Sequence, residues 1–414
     1  MQLLWRSLSF DAWVFASLVG GYALAFVLRL GDTAMGTMIV ATALGCIGLY
    51  LVRGERARWA LVYAAVAAIV LAPTVVGIVM RRMTAPYLFV HDGMIQTEEA
   101  AKFFLAAKNP YVENYFGTPL EYWWMPGPNE APNPALYHFV YLPLTFIFAA
   151  PLLALGQTLL GWFDLRLIFL LLFLVTLVFL PRFTASPARQ RALVLLFALN
   201  PWLVPFLAEG RNDAFVLFWL VLSVALLQVR RPIASVAVMA CACATKQMAW
   251  FTLPFYTLYL VETYVCPGVQ EWAMLIRRAS VPLATFLILF GTLMLPFLLW
   301  NPNAFVDDVF RYPAGRSEHP YPIRTIGFSG IALALGWMPN DTALFPFEWL
   351  QLLFGIPALL GLLWFLHKRI SISRFWLCCG ILTFVLGFFS RAFSDNYLGY
   401  LLNLILLGVI ADDA

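Results

Sequence analysis

The chain is built of long apolar runs separated by short polar breaks. The runs fall at 9–29, 35–52, 59–80, 138–157, 163–181, 190–208, 213–229, 233–248, 250–265, 280–300, 344–366, 374–391 and 393–412. Most are about 17–25 residues long, the length a helix needs to cross a bilayer core. Apolar residues do not alternate with polar ones within them, which excludes the strands of a transmembrane barrel. In lipid every backbone N–H and C=O must pair inside the protein, and only helices and closed barrels achieve that. The pattern therefore predicts an all-α, polytopic transmembrane protein of about 11–13 spans, with 1–414 as one membrane domain. The stretch 327–338 reads as a re-entrant or interfacial helix.

Composition sharpens this. The chain is 62% hydrophobic and 12% charged, about half the charged fraction of a soluble domain, and its mean hydropathy is +0.83. The first run has no small-residue cleavage site followed by a polar domain, so it reads as a span and not as a signal peptide. Of the six cysteines, all but Cys266 lie inside apolar runs, without His or acidic residues nearby. They read as small buried hydrophobes. The net charge of +4 says little about partners, but with no Gly-rich phosphate loop and no nucleotide fingerprint a nucleotide-sugar donor is disfavoured. Nucleic acid is not an expected partner.

Arginine and lysine in short loops set orientation. The groups Arg53/Arg56/Arg58, Arg182/Arg189/Arg191, Arg230/Arg231, Arg277/Arg278 and Lys368/Arg369/Arg374 are read as cytoplasmic. That puts 81–137, 209–213, 301–343 and 391–396 on the outer face of an inner or plasma membrane. Two features resist. The chain needs an odd number of crossings between 137 and 182 but shows two runs there, so either one run lies along the membrane surface or the Arg182 group is on the other side. Arg81 and Arg82 also fall at the outer end. The outer segments hold His91, His138 and His319 and several arginines kept against the bias; binding an anion is one reason to keep them.

The first large outer loop opens HDGMIQTEEAAKFFLAAKNPY, and residues 94–107 read as an amphipathic helix with Asp92 just before it. Asp92 is a helix cap or a reactive carboxylate. Glu98 and Glu99, like Glu113 and Glu121, are read as charges on a water-facing surface. Tyr111, Tyr115, Tyr122, Trp123, Trp124, Tyr137 and Tyr141 suit an interfacial belt, or rings that stack on sugars and lipid tails. Cation candidates are Arg211 in GRND, Lys246 in TKQ, and Arg311, Arg316, His319 and Arg324 in RYPAGRSEHPYPIR. Each either snorkels to head groups or binds a phosphate. Lys246 lies between two apolar runs, where an unpaired ammonium costs about 2.5–3.5 kcal/mol, and Asp213 is the partner type at hand. Asp307 with Asp308, or Asp92 with a loop histidine, are the sets that would take a divalent metal. Adjacent acids diverge on most backbones, so no metal and no other cofactor is expected.

Four stretches carry a resemblance: HDGMIQTEEA with NPY at 109–111, NPALYHFVYLPL at 133–144, LNPWLVPFLAEGRNDAFVLF at 199–218, and ATKQMAWFTLPF at 244–255. In order and spacing the region 91–255 resembles the GT-C superfamily of membrane glycosyltransferases, in particular the bacterial polyprenyl-phosphate-dependent mannosyltransferase-like group. The acidic loop follows the third span here rather than the first, so two spans are read as an N-terminal addition. The resemblance implies an inverting enzyme of the cell envelope. It would move a sugar from a polyprenyl-phosphate donor to a hydroxyl of a glycolipid, glycan or protein acceptor, among membrane lipids. It makes Asp92 the base, with Glu98, Glu99 and Asp213 as secondary acid or acceptor-binding candidates, and Arg211, Lys246, Arg311, Arg316, His319 and Arg324 as donor-phosphate ligands. A phosphate leaves readily, so one carboxylate suffices where glycoside hydrolysis uses two. The alternative is a secondary transporter or lipid flippase, which would place its charges near the bilayer midplane between repeated halves; no repeat is visible. A non-catalytic subunit of an envelope-assembly complex is a third reading.

Overall fold

The computed structural model describes residues 9–30, 32–123, 132–265, 272–323 and 325–412. Among them every regular element is helical. Along the chain come α1 (Phe10–Leu30), α2 (Thr33–Val52), α3 (Glu55–Met83), α4 (Asp92–Leu105), α5 (Leu144–Leu160), α6 (Arg166–Phe183), α7 (Pro187–Ala198), α8 (Val204–Glu209), α9 (Asp213–Gln228), α10 (Pro232–Cys243), α11 (Leu253–Leu260), α12 (Trp272–Trp300), α13 (Phe328–Ala334), α14 (Phe347–Lys368), α15 (Ile372–Phe388) and α16 (Tyr397–Ile410). Six of these, α1, α2, α3, α6, α12 and α14, contain stretches long and apolar enough to cross a membrane. Leu28, Val52 and Leu299 are 76, 78 and 74% exposed on such helices, which only a lipid environment makes favourable. The protein is a polytopic helical membrane protein.

Local chemistry explains the helix ends. Asp32 caps α2 by accepting from the Ala34 and Met35 N–H groups, which have no partner inside the helix. Proline opens α7 and α10 in the first turn, where its missing N–H costs nothing. In α3 the turn Ala67–Leu71 is wide just before Pro73. The wide turn accommodates the proline ring within a helix that must still span.

Two polar ends bracket the apolar body. At one end Asp11, fully buried, accepts from Arg191 Nε at 2.7 Å and Tyr50 Oη at 2.8 Å, Glu55 pairs with Arg191, and Arg189 and Thr184 hold Asp412. At the other end the connecting segments meet. His91 N–H donates to Glu209 O at 2.8 Å, Leu142 N–H to Thr245 O at 3.2 Å, and Ile326 N–H to Phe393 O at 3.0 Å.

The geometry of α5 bears on the two runs between 137 and 182. The N-terminus of α5 is tied to Ala244 through the Leu144 N–H, and its C-terminus lies beside Arg81, Arg82 and Asp164. Both of its ends are at the loop end, and α6 alone runs to the far end, where Phe183 O accepts from Asp412. The apolar run 138–157 thus begins and ends beside loop-end residues, whereas α6 reaches the far end. The reason is packing. α5 folds back over α4, with Phe104 and Phe146 rings 5.6 Å apart, and buries α4 from Gly93 to Ala101. That also corrects the reading of Glu98 and Glu99, which are buried rather than water-facing.

Arg81 is explained by the same contact. It donates to Glu98 at 2.7 Å and Asp164 at 3.0 Å. Arg166 pairs with Asp164 at 2.8 Å and donates to Phe89 O at 2.7 Å and Ala208 O at 3.1 Å. Arg82 lies over the Trp162 ring at 5.2 Å. Two arginines against the orientation bias are thus accounted for by neighbouring acids and an aromatic face.

Gly210 ends α8 with φ +87°, and a Cβ there would lie 2.3 Å from Met94 Sδ and 3.0 Å from Arg166 Cγ. Gly210→Ala is expected to cost about 1–3 kcal/mol from backbone conformation alone, read as a lower thermal midpoint in detergent. A midpoint equal to wild type would show that the turn relaxes freely.

Candidate functional site

The site begins at the N-terminus of α4. His91 is the cap residue, in extended backbone, and its neighbour Asp92 opens the helix. Asp92 Oδ1 lies 2.8 Å from His91 Nδ1 and accepts the Gly93 N–H at 2.6 Å. Gly93 is required by close approach: a Cβ there would lie 2.1 Å from Tyr141 Oη. Trp123 donates its indole N–H to Val90 O at 2.7 Å and sets its ring edge-on to His91.

These groups line a cavity of about 400 Å³ together with Gln96, Asn133, Arg211, Tyr312, Tyr321 and Asp395. Burial pushes the Asp92 carboxyl up, but the His91 charge, the hydrogen bonds from His91 and Gly93, and the more distant Arg211 outweigh it and hold Asp92 below the usual carboxylate value. Asn133 is buried with its amide nitrogen unpartnered. A hydroxyl-rich ligand would satisfy that donor, and the aromatic rings suit the faces of a sugar.

A second cavity of about 360 Å³ shares Val140, Tyr141 and Tyr321 with the first. Its walls are mostly apolar, through Met248, Phe251, Phe310 and Leu386, and its polar members include Lys246, Arg391 and Glu348. Lys246 donates to Asp213 at 2.8 Å and Asn212 at 3.1 Å and lies over the Tyr397 ring at 4.7 Å. The partner expected from sequence is the one found. Asn396 donates to Asp213 at 2.5 Å and accepts from Arg211 at 2.9 Å, so a polar chain runs from Lys246 in one cavity to Arg211 in the other.

Arg391 differs from these. It is 2% exposed and donates to Tyr321 O at 2.6 Å, Ala343 O at 2.8 Å and Asp341 O at 3.0 Å. Among the described residues no carboxylate stands within ion-pair distance of it. Burial pulls its pKa below the usual guanidinium value, and the Asp341 charge only partly offsets that. A buried cation held by carbonyls alone, on the wall of a cavity, is electrostatically incomplete.

The other sequence candidates are dispersed. Arg316 pairs with Glu348 on the rim of the second cavity. Arg311 is exposed, and His319 stacks on Tyr137 with centroids 3.7 Å apart. Neither lines the Asp92 cavity. Arg324 and Trp124 lie outside the described residues. Glu98 is bound by Arg81 and by the Leu165 N–H at 2.9 Å, and Glu99 pairs with Lys102 at 2.6 Å. Both line a separate cavity beneath α5, so neither is a base for chemistry at Asp92. Of the cysteines, Cys243, Cys378 and Cys379 are buried while Cys46 and Cys241 are partly exposed; Cys266 lies outside the described residues.

Among the described residues His138, Asp307 and Asp308 have the spacing to hold a divalent cation, with one ligand atom each and all within 4.8 Å of one another. The adjacent acids do not diverge as expected, because they sit in a wide helical turn, Asp307–Arg311. His138 Nδ1 lies 2.8 Å from Asp308, whose other oxygen accepts the Phe139 N–H. Burial pushes the Asp308 carboxyl up to about 6 despite those bonds. The set also works without a metal, as a pair that pins the 301–312 segment to the loop after α4.

Sequence reasoning missed Tyr321 and Arg391 as site members, and named His91 and Tyr141 only as a general anion-binding histidine and a belt or stacking ring. Arg391 carried a signal, since it stands in a segment placed outside against the orientation bias, as Arg211 does. No protein-family model, curated protein or solved structure matches the chain. Any activity has to be argued from the geometry of this site.

Proposed function

We propose that the protein is an inverting glycosyltransferase that uses a polyprenyl-phosphate sugar, acting at the non-cytoplasmic face of the membrane. The observation that carries the reading is the pair of adjoining cavities. One is mostly apolar, with a buried and only partly compensated guanidinium on its wall. The other holds a carboxylate–imidazole pair among aromatic rings, and Tyr141 and Tyr321 form the wall between them. An isoprenoid chain suits the first, its phosphate suits Arg391, and the sugar suits the second. The arginine-rich loops at the opposite end support the outward placement.

In this reading the acceptor oxygen attacks the anomeric carbon from the side opposite the phosphate, which inverts the configuration. Its proton passes to the Asp92–His91 pair, and the phosphate leaves with the bonding electrons. Arg391 offsets the charge that grows on that phosphate. Lys246 is already matched by Asp213, so its contribution is to hold Asn212 and the α9 N-terminus in place. A transporter or flippase is the rival. The position of both cavities among loop segments at one end, rather than between repeated halves, favours the transferase.

The test separates binding from transfer. Arg391→Gln is expected to weaken binding of a polyprenyl-phosphate sugar about 10- to 100-fold, the range for losing a charge-assisted hydrogen bond, and to slow transfer as well. The phosphate is charged before and during the reaction, so both quantities should move. Wild-type protein in vesicles that binds the donor but transfers no sugar to any glycolipid, glycan or peptide acceptor would favour the flippase.

A further inference from the structure

The pair at the head of α4 has a definite proton arrangement. His91 Nδ1 and Asp92 Oδ1 are 2.8 Å apart. Two lone pairs at that distance repel, so a proton lies between them, and with Asp92 ionised it belongs to Nδ1. The Gly93 N–H, 2.6 Å from Asp92 Oδ1 and 3.1 Å from His91 Nδ1, then serves the carboxylate. In the neutral ring this leaves Nε2 with its lone pair, in a side chain that lines the Asp92 cavity.

We propose that His91 Nε2, and not the Asp92 carboxylate, receives the acceptor's proton, and that Asp92 holds the ring in the required tautomer and offsets the charge it gains. The inference rests on the glycosyltransferase reading of the same site. The step balances. The acceptor O–H bond breaks and its proton goes to Nε2, the acceptor oxygen forms the new bond to the anomeric carbon, and the sugar–phosphate bond breaks with its electron pair on phosphate. The imidazolium then releases its proton to water. An imidazole oriented by a carboxylate is a better base near neutral pH than a carboxylate already stabilised in its ionised form. The charged groups around the ring are Asp92 on its own segment and Arg211 and Asp395 across the cavity. Glu209, whose backbone oxygen takes the His91 N–H, has its carboxylate on Arg211. The phenols of Tyr141, Tyr312 and Tyr321 complete the lining.

The experiment is the pH dependence of turnover with saturating polyprenyl-phosphate sugar, whose phosphodiester does not titrate in the range used. Turnover is expected to fall toward acid pH along a limb that reflects protonation of the receiving nitrogen. His91→Asn keeps a side chain able to cap α4. It is expected to lose about 100-fold or more in turnover, together with that pH limb. His91→Ala should regain part of its rate with added imidazole, which a purely structural histidine would not allow. Asp308→Asn should leave the limb in place, which excludes that carboxyl as its source. A wild-type profile flat down to about pH 5, where only a carboxylate base remains effective, overturns the inference while leaving the transferase reading intact. So does His91→Asn turning over at the wild-type rate. Absence of transfer by wild type overturns the reading itself, and the inference with it.

Discussion

Asp92→Asn should abolish sugar transfer while leaving donor binding and folding close to wild type. Asparagine keeps the size of the side chain, and its oxygen can still accept the Gly93 N–H. What it loses is the charge that orients His91 and stabilises the imidazolium. The expected loss is about 10²–10⁴-fold in turnover, the range for a histidine base that loses its orienting carboxylate. Donor binding should change little, because Arg391, the phosphate ligand proposed above, lies in the neighbouring cavity. The check is transfer from a purified lipid-phosphate sugar, with donor binding and thermal midpoint measured on the same preparation. Near-wild-type turnover would leave Asp92 a structural residue of the first turn of α4. Glu98 is held by Arg81 and Glu99 by Lys102, so neither carboxylate on α4 is free to take its place.

Arg166→Leu should produce the largest loss of stability. The guanidinium is fully buried, shares Asp164 with Arg81, and bonds the carbonyls of Phe89 and Ala208. Burial pushes the Asp164 carboxyl up, and Arg166, then Arg81, more than reverse this, so Asp164 sits below the usual carboxylate value. Removing Arg166 leaves that carboxylate half-compensated and two carbonyls unpaired. Breaking a buried pair from one side typically costs about 3–5 kcal/mol. Thermal unfolding in detergent reads the effect, and the double variant Arg166→Leu with Asp164→Leu should recover part of it, since the orphaned charge is then gone. Activity should fall with the single variant too, because Phe89 and Ala208 precede the His91 and Arg211 segments of the site. An unchanged midpoint would mean that the segments are held by packing alone.

The arrangement places the reactive pair on a stiff support. α4 is clamped between α5 above and the Arg81–Glu98–Asp164–Arg166 network at its side, and its N-terminal residues are fixed by Glu209 and Trp123. In most loops a carboxylate–imidazole contact would be one rotamer among several. Here the backbone on both sides of it is tied to other helices.

The membrane class, the helical content and most helix positions were legible in the sequence, because they follow from run length and backbone pairing, which are local. So was the need of Lys246 for an acid, because an ammonium between apolar runs is costly wherever it folds. The fate of the 138–157 run was not legible. An apolar helix that crosses a bilayer and one that lies across another helix have the same composition, and only the partner, α4, distinguishes them. The same packing turned Glu98 and Glu99 from expected surface charges into buried ones. Arg391 and Asp92 are 299 residues apart by their numbers, and no periodicity relates them. They line adjoining cavities only because the fold brings Tyr141 and Tyr321, from two different loops, into a shared wall. Hydrophobic patterning thus determined what kind of solvent this chain requires. Which charges are matched, and which one is left for a ligand, was decided by long-range contacts that local sequence does not encode.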